Sequence, residues 1–201
     1  MRICILRPTT IFTFLTFCFS LLLAQSGNPK IKYVGGEYLI FLPKSMKEAL
    51  QNFDSTFELW KQRDYLPSLV KSYTFSGKQT PSAVIGDYNG DGISDVVLQG
   101  HNKSNDLLLC ILSDGINYKV FEVRKGSPLT DPKKEWYGMG DHKEYGRWVY
   151  LTFVPRGKAD SPLEEKPLYL KTDTFELNYF EKASVLYYFK EGKFLEYTTG
   201  D

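Results

Sequence analysis

The chain has 201 residues, 42% of them hydrophobic, with 25 basic against 24 acidic side chains, which suits one domain behind a short leader. So even a balance gives no electrostatic case for nucleic acid or an anionic membrane surface as partner. The 14 Tyr and 14 Phe favour strands, where rings pack on a pleated surface.

Arg2 and Arg7 precede an apolar run from Ile11 to Leu23, I-F-T-F-L-T-F-C-F-S-L-L-L. That run falls short of the roughly 20 residues a transmembrane helix needs. Small residues in Ala24-Gln25-Ser26 offer a cut after Ala24 or after Ser26. Residues 1–26 therefore read as a secretory signal peptide, and 27–201 as a single β-rich domain, periplasmic or secreted. An uncleaved membrane anchor is the other reading of the leader. A lipoprotein signal would use Cys18, but Phe17 stands where a small residue is required. Cleavage removes Cys4, Cys18 and both arginines, which leaves Cys110 as the one cysteine and 23 basic against 24 acidic residues. No internal disulfide is then possible, and a domain of about 175 residues can bury a sufficient core without one.

Gly27 to Pro29 reads as a flexible start, and Tyr38 to Leu42 as a short strand ended by Pro43. Ser45-Met46-Lys47-Glu48 has the form of a capping box. Met46, Leu50, Phe53 and Phe57 recur at helical spacing and predict one apolar face on a helix ending before Pro67. Pro67 to Tyr73 predicts a second helical turn with proline at its first position. Strands follow at Ala83 to Ile85 and Val96 to Leu98. Leu107 to Leu112 is apolar at every position, as expected of a central strand covered on both faces. Asp114-Gly115 is a hairpin signal leading to a strand with Tyr118, Val120 and Val123. These pieces predict a four-stranded meander. Arg124 to Arg147 reads as a long irregular segment of the kind that is usually functional or disordered. Trp148 to Val154 resumes as a strand, and Lys158 to Lys166 as a charged loop. Leu168 to Leu170, Thr174 to Phe180 and Val185 to Phe189 are further strands. Glu191-Gly192 turns the chain into a last strand at Phe194 to Tyr197. The fold class is mainly β (α+β): antiparallel meander sheets with an N-terminal helix.

The richest chemistry lies in Asp87 to Asp95, D-Y-N-G-D-G-I-S-D. Calcium takes six to eight oxygens at about 2.3–2.6 Å. Asp87, Asn89 and Asp91 alternate, so a tightly coiled backbone can aim all three inward, with the Ile93 carbonyl and the Asp95 carboxylate completing the set. Gly90 and Gly92 supply the positive φ that such a coil needs. A metal-free polar hairpin is the plain alternative, since Asn-Gly and Asp-Gly are common turn dipeptides. Plain turns need neither three alternating oxygen donors nor an aspartate at the ninth position. An EF-hand would place an acidic residue at the twelfth position. Leu98 stands there, and the flanks Ala83-Val84-Ile85 and Val96-Val97-Leu98 prefer strands.

Gly86-Asp87-Tyr88-Asn89-Gly90-Asp91-Gly92, followed by Asp95-Val96-Val97-Leu98, resembles the FG-GAP or VCBS calcium-binding repeat, related to the blades of integrin alpha-subunit propellers. The resemblance covers residues 83–123. It implies Asp87, Asn89, Asp91 and Asp95 as side-chain ligands of Ca2+ and Ile93 as a carbonyl ligand. The segment F-E-K-A-S-V-L-Y-Y-F-K-E-G-K-F, Phe180 to Phe194, resembles the tails of exported bacterial proteins carrying one such repeat. A closed propeller needs about four to eight blades. One copy in a chain this short predicts a compact β module and not a complete propeller.

Three weaker candidates remain. Asp141-His142 with Glu144, in the 138–147 loop, could serve a hydrolase, although no G-x-S-x-G elbow is present and exposed loop histidines are the plainer reading. Trp136, Tyr137, Tyr145 and Trp148, with His142, could form a platform for a glycan or a surface protein; otherwise these rings cover the core. Cys110, in the most apolar strand, reads as a buried inert thiol. The expected function is an exported, non-enzymatic calcium-binding module with a structural ion, used to bind an unidentified protein or glycan.

Overall fold

The computed structural model describes residues 27–128, 131–139, 142–160 and 167–200. The leader at 1–26, Asp141 and most of the charged Lys158 to Lys166 loop lie outside the described residues.

The chain opens with a hairpin, β1 (Lys30–Val34) and β2 (Glu37–Phe41), turned by Gly35 and Gly36 at φ of +63° and +94°. β1 begins directly after Gly27 to Pro29, which has no regular structure, and was not among the expected strands. Helix α1 (Lys44–Phe53) follows, with Pro43 as N-cap and no side-chain cap hydrogen bond. The expected capping box does not form, because the helix begins one residue before Ser45. Met46 is buried and Leu50 half-buried beneath α1, but Phe53 is exposed. Phe57 lies beyond the helix, just before the short β3 (Glu58–Leu59). A single 3-10 turn (Gln62–Asp64) leads to α2 (Pro67–Ser72), which starts at its proline as expected.

The next strands form a meander of β4 (Gln79–Thr80), β5 (Ala83–Gly86), β6 (Asp95–His101), β7 (Asn105–Asp114) and β8 (Asn117–Pro128), each antiparallel to the last. β5 pairs with Asp95 to Leu98 only, and β3 pairs with the remaining Gly100 and His101 of β6. Where Arg124 to Arg147 was expected to be irregular, β8 extends to Pro128 and a hairpin forms from β9 (Trp136–Met139) and β10 (His142–Tyr145). β11 (Val149–Val154) enters a second sheet. β12 (Gly157–Ala159) and β13 (Leu168–Leu170) make a short side ladder. β14 (Thr174–Tyr179), β15 (Ser184–Lys190) and β16 (Lys193–Gly200) complete the second sheet, in the order β11-β14-β15-β16.

The two large sheets pack face to face. Val84, Val97, Leu108, Cys110 and Leu112 meet Leu151, Phe175, Leu177 and Tyr187. Phe175 is the hub of this contact. Its ring stacks on Tyr187 at 5.4 Å and takes Tyr88 edge-on at 5.6 Å. On the other face of the first sheet, Ala83, Ile85, Val96, Leu98 and Ile111 pack against Ile31 of β1 and Met46 of α1. The alternation of side chains along each strand thus feeds two separate cores. β7 is the central strand covered on both faces that its apolar run predicts. The architecture is strand-rich and antiparallel, with no closed barrel or propeller among the described residues.

Phe175→Ala should destabilise the fold by about 3–5 kcal/mol, through lost transfer energy and the cavity left between the sheets. Urea denaturation followed by far-UV dichroism measures it; a loss below about 1 kcal/mol would show that the sheets do not pack through this ring.

Candidate metal centre

The Asp87 to Asp95 loop joins β5 to β6. Gly90 and Gly92 take φ of +81° and +82°, where a side chain would be strained. These turns fold the backbone around the Asp87 carboxylate. Oδ1 accepts from the N–H of Gly90 at 2.7 Å and of Asp91 at 3.1 Å, and Oδ2 accepts from Gly92 at 3.0 Å. Asp91 Oδ1 accepts from the Ile93 N–H at 2.8 Å. Asn89 Oδ1 accepts from the Asp91 N–H, and Nδ2 donates to the Ser113 carbonyl at 2.8 Å. The alternation read in the sequence therefore does bring Asp87, Asn89 and Asp91 into one coil.

Asp95 sits beneath the coil as the first residue of β6 and has no exposed surface. One carboxylate oxygen accepts from the Tyr88 N–H at 2.9 Å, the other from the Ser113 N–H at 2.7 Å. Burial raises its pKa from 3.8 to about 6, against the lowering effect of these hydrogen bonds, and the nearby Asp91 charge adds to the rise.

Two residues that the sequence did not mark complete the site. Ser113, at the end of β7, holds Asp95 through its N–H and donates its hydroxyl to Asp91 Oδ2. Asp173, just before β14, accepts from the Asp87 N–H at 3.1 Å and returns its own N–H to the Asp87 carbonyl at 3.1 Å. A Cβ on Gly90 would stand 2.9 Å from Thr172 Cγ2, so the coil lies close against this turn of the second sheet. Ser113 could have been anticipated from the β6–β7 register, which sets the end of β7 beside Asp95. No local pattern distinguishes Asp173.

The donor chemistry suits a hard cation: carboxylate, amide and carbonyl oxygens with no sulfur or imidazole. Asp87 Oδ1 accepts two N–H groups, but Asp87 Oδ2, Asp91 Oδ1 and both Asp95 oxygens accept one each and keep a second lone pair for an ion. Among the described residues none of Asp87, Asp91, Asp95 and Asp173 forms an ion pair with Lys, Arg or His. Nor, among the described residues, do three His, Cys, Asp or Glu side chains converge as a preformed cage. The carboxylates are instead turned onto the backbone N–H groups named above.

The other candidates separate. Trp136 is 54% exposed with Lys143 Nζ over its ring at 4.7 Å, and its register partner Tyr145 is exposed as well. Tyr137 and Trp148 turn the other way and pack, half-buried, on the core of Trp60, Leu66 and Leu69. The four rings therefore do not share one face. His142 pairs with Met139 in the hairpin, and its side chain lies outside what the structure describes. Glu144 is taken by the start of α2, where its Oε2 accepts the Ser68 N–H at 3.0 Å; the Ser68 side chain first, and then this backbone bond, hold its pKa below its ordinary value. The Cys110 thiol is fully buried and pushed well up by burial, as an inert core group would be.

A scan of protein-family models, a search of curated proteins and a search of solved structures each find no match to this chain.

The Asp95 shift sets a pH dependence. The folded pKa lies above the unfolded one, so its stabilising effect is full below about pH 4 and is lost as pH rises through about 6. With one unit equal to about 1.4 kcal/mol, the loss reaches up to about 3 kcal/mol in chelator-treated buffer. Asp95→Asn should flatten this slope in denaturation curves between pH 4 and 6; an unchanged slope would assign it to another group.

Proposed function

We propose that this protein is an exported calcium-binding β module in which the ion is structural and the surface serves to bind a protein or glycan. Asp87, Asn89, Asp91 and Asp95 would hold the ion by side chains and Ile93 by its carbonyl. The observation that supports this most is the buried Asp95 beneath a coil of like charges that lacks a cationic partner among the described residues. Two carboxylates near one another disfavour each other's charged form, and a divalent cation reverses that penalty. The ion would therefore stabilise the negatively charged coil and, through the Asp87–Asp173 pair, the seam between the sheets.

A structural role suits the surroundings better than a catalytic one. The loop's oxygens face backbone N–H groups and its buried member faces the core. Glu144, the acid that a hydrolase would draw on, caps α2 instead. Export rests on the signal-peptide pattern of residues 1–26. Among the described residues no helix is long and apolar enough to cross a membrane.

Calcium at a hundred times its Kd should add about 2.7 kcal/mol of stability, which in a domain of this size raises Tm by roughly 5–10 °C. Differential scanning fluorimetry with and without chelator reads this directly. Asp91→Ala should fold but lose the response. If the variant keeps a wild-type calcium shift, the loop is not the site.

A further inference from the structure

A second polar site lies at the other end of the same two sheets. A cleft of about 210 Å³ opens where β6, β7 and β8 face β11 and β14. Gln99, Asp106 and Arg124 enter it from the first sheet, and Glu135 and Arg147 from the segment between the sheets. Trp148 and Tyr179 line one side of it with ring centroids 5.5 Å apart, Lys182 Nζ lying 5.0 Å from the Trp148 ring and the Arg124 guanidinium 5.9 Å from the Tyr179 ring.

The charged groups are held in place by the fold. Arg147 is 4% exposed and forms ion pairs with both Asp106 and Glu135. Its guanidinium lies over the Trp60 ring at 4.3 Å, and Trp60 Nε1 donates to Asp106 Oδ1 at 2.8 Å. Arg124 is exposed and donates to the Tyr179 hydroxyl. Such an arrangement is preorganised, so a ligand would meet fixed donors and acceptors without the cost of ordering them.

The chemistry of the lining selects the ligand. Two guanidinium groups and two carboxylates cancel, so the cleft has no net charge to attract an ion. An anion would meet Asp106 and Glu135, and a cation would meet Arg124 and Arg147. A hydroxyl group both donates and accepts, so a ring of hydroxyls can serve carboxylate acceptors and guanidinium donors together. The apolar face of a sugar ring matches an aromatic wall with a polar tip. The volume lies below the range of about 300–1,000 Å³ typical of drug-sized ligands and limits the occupant to something of about one ring.

We propose that this cleft binds a neutral saccharide unit, with Gln99, Asp106, Arg124 and Glu135 reading hydroxyls and Trp148 and Tyr179 supporting the ring. The site shares no side chain with the calcium loop and does not depend on an ion there.

The test is calorimetry and saturation-transfer NMR on the full chain with glucose, galactose, mannose and N-acetylglucosamine, each with calcium and with chelator. Glycerol and acetate are the comparison probes. At least one sugar should bind saturably, and Arg124→Gln should weaken it by about tenfold, the scale of one hydrogen bond to a charged group. Ile116→Ser, on the exposed β7–β8 turn, should bind as wild type. Arg124 is exposed, so its replacement should not unfold the protein; Tyr179→Phe, which removes only the hydroxyl partner, is the second variant. The proposal is overturned if no sugar saturates, if acetate or glycerol binds as well as any sugar, or if both variants bind like wild type. Binding retained in chelator separates this outcome from failure of the calcium reading.

Discussion

The fold depends on one constraint, the burial of β7 on both faces. Six consecutive residues, Leu107 to Leu112, have almost no exposed surface. Leu108, Cys110 and Leu112 face the second sheet, and Ile111 faces the layer of α1 and the β1–β2 hairpin. A slip of one residue would exchange the two sets and misalign both cores. The register is held at its far end by two devices. One is the tight turn after Asp114, with Gly115 at φ +66°; the other is the Asp95 carboxylate receiving the Ser113 N–H. A buried carboxylate is an expensive way to tie two strands. The expense falls where its two oxygens also organise the loop above through Tyr88.

That coupling explains how a short surface loop reaches the seam between the sheets. Asp95 lies under the coil, and Asp87 in the coil exchanges two backbone-involving hydrogen bonds with Asp173. Tyr88, the residue after Asp87, points its ring into the sheet–sheet core against Phe175. The loop is therefore bonded to β6, β7 and the start of β14 together. The chain's own second sheet covers one face of the sheet that carries the loop.

Much of this was legible from short-range pattern. The all-apolar run at Leu107, the dipeptide Asp114-Gly115 and the proline at position 67 each have one dominant structural meaning, and each element forms where its pattern lies. The misses have separate causes. Ser45 lost its capping role to Pro43, whose fixed φ and missing N–H suit the residue just ahead of a helix. The β9 and β10 segments mix Lys, Glu and aromatic residues without clear alternation, so their pairing has no period-2 signal. Within the loop, the ligand-type residues could be read by spacing alone. Asp173 could not, since it comes from more than 80 positions away and meets Asp87 only once the sheets have packed.

The two ends of the sandwich differ in how they manage buried charge. At the cleft, Arg147 pairs with Asp106 and Glu135, and with Arg124 counted the polar network is neutral within the chain. At the loop, carboxylates gather around backbone N–H groups without a side-chain cation among the described residues. A self-compensated network favours uncharged partners, whereas an uncompensated one favours a cation. Asp95 and Gln99 stand four residues apart on β6, or about 13 Å along a strand. What they share is the rigidity of β6 and β7, which the Asp95–Ser113 contact sets at one end and the Trp60–Asp106–Arg147 cluster at the other.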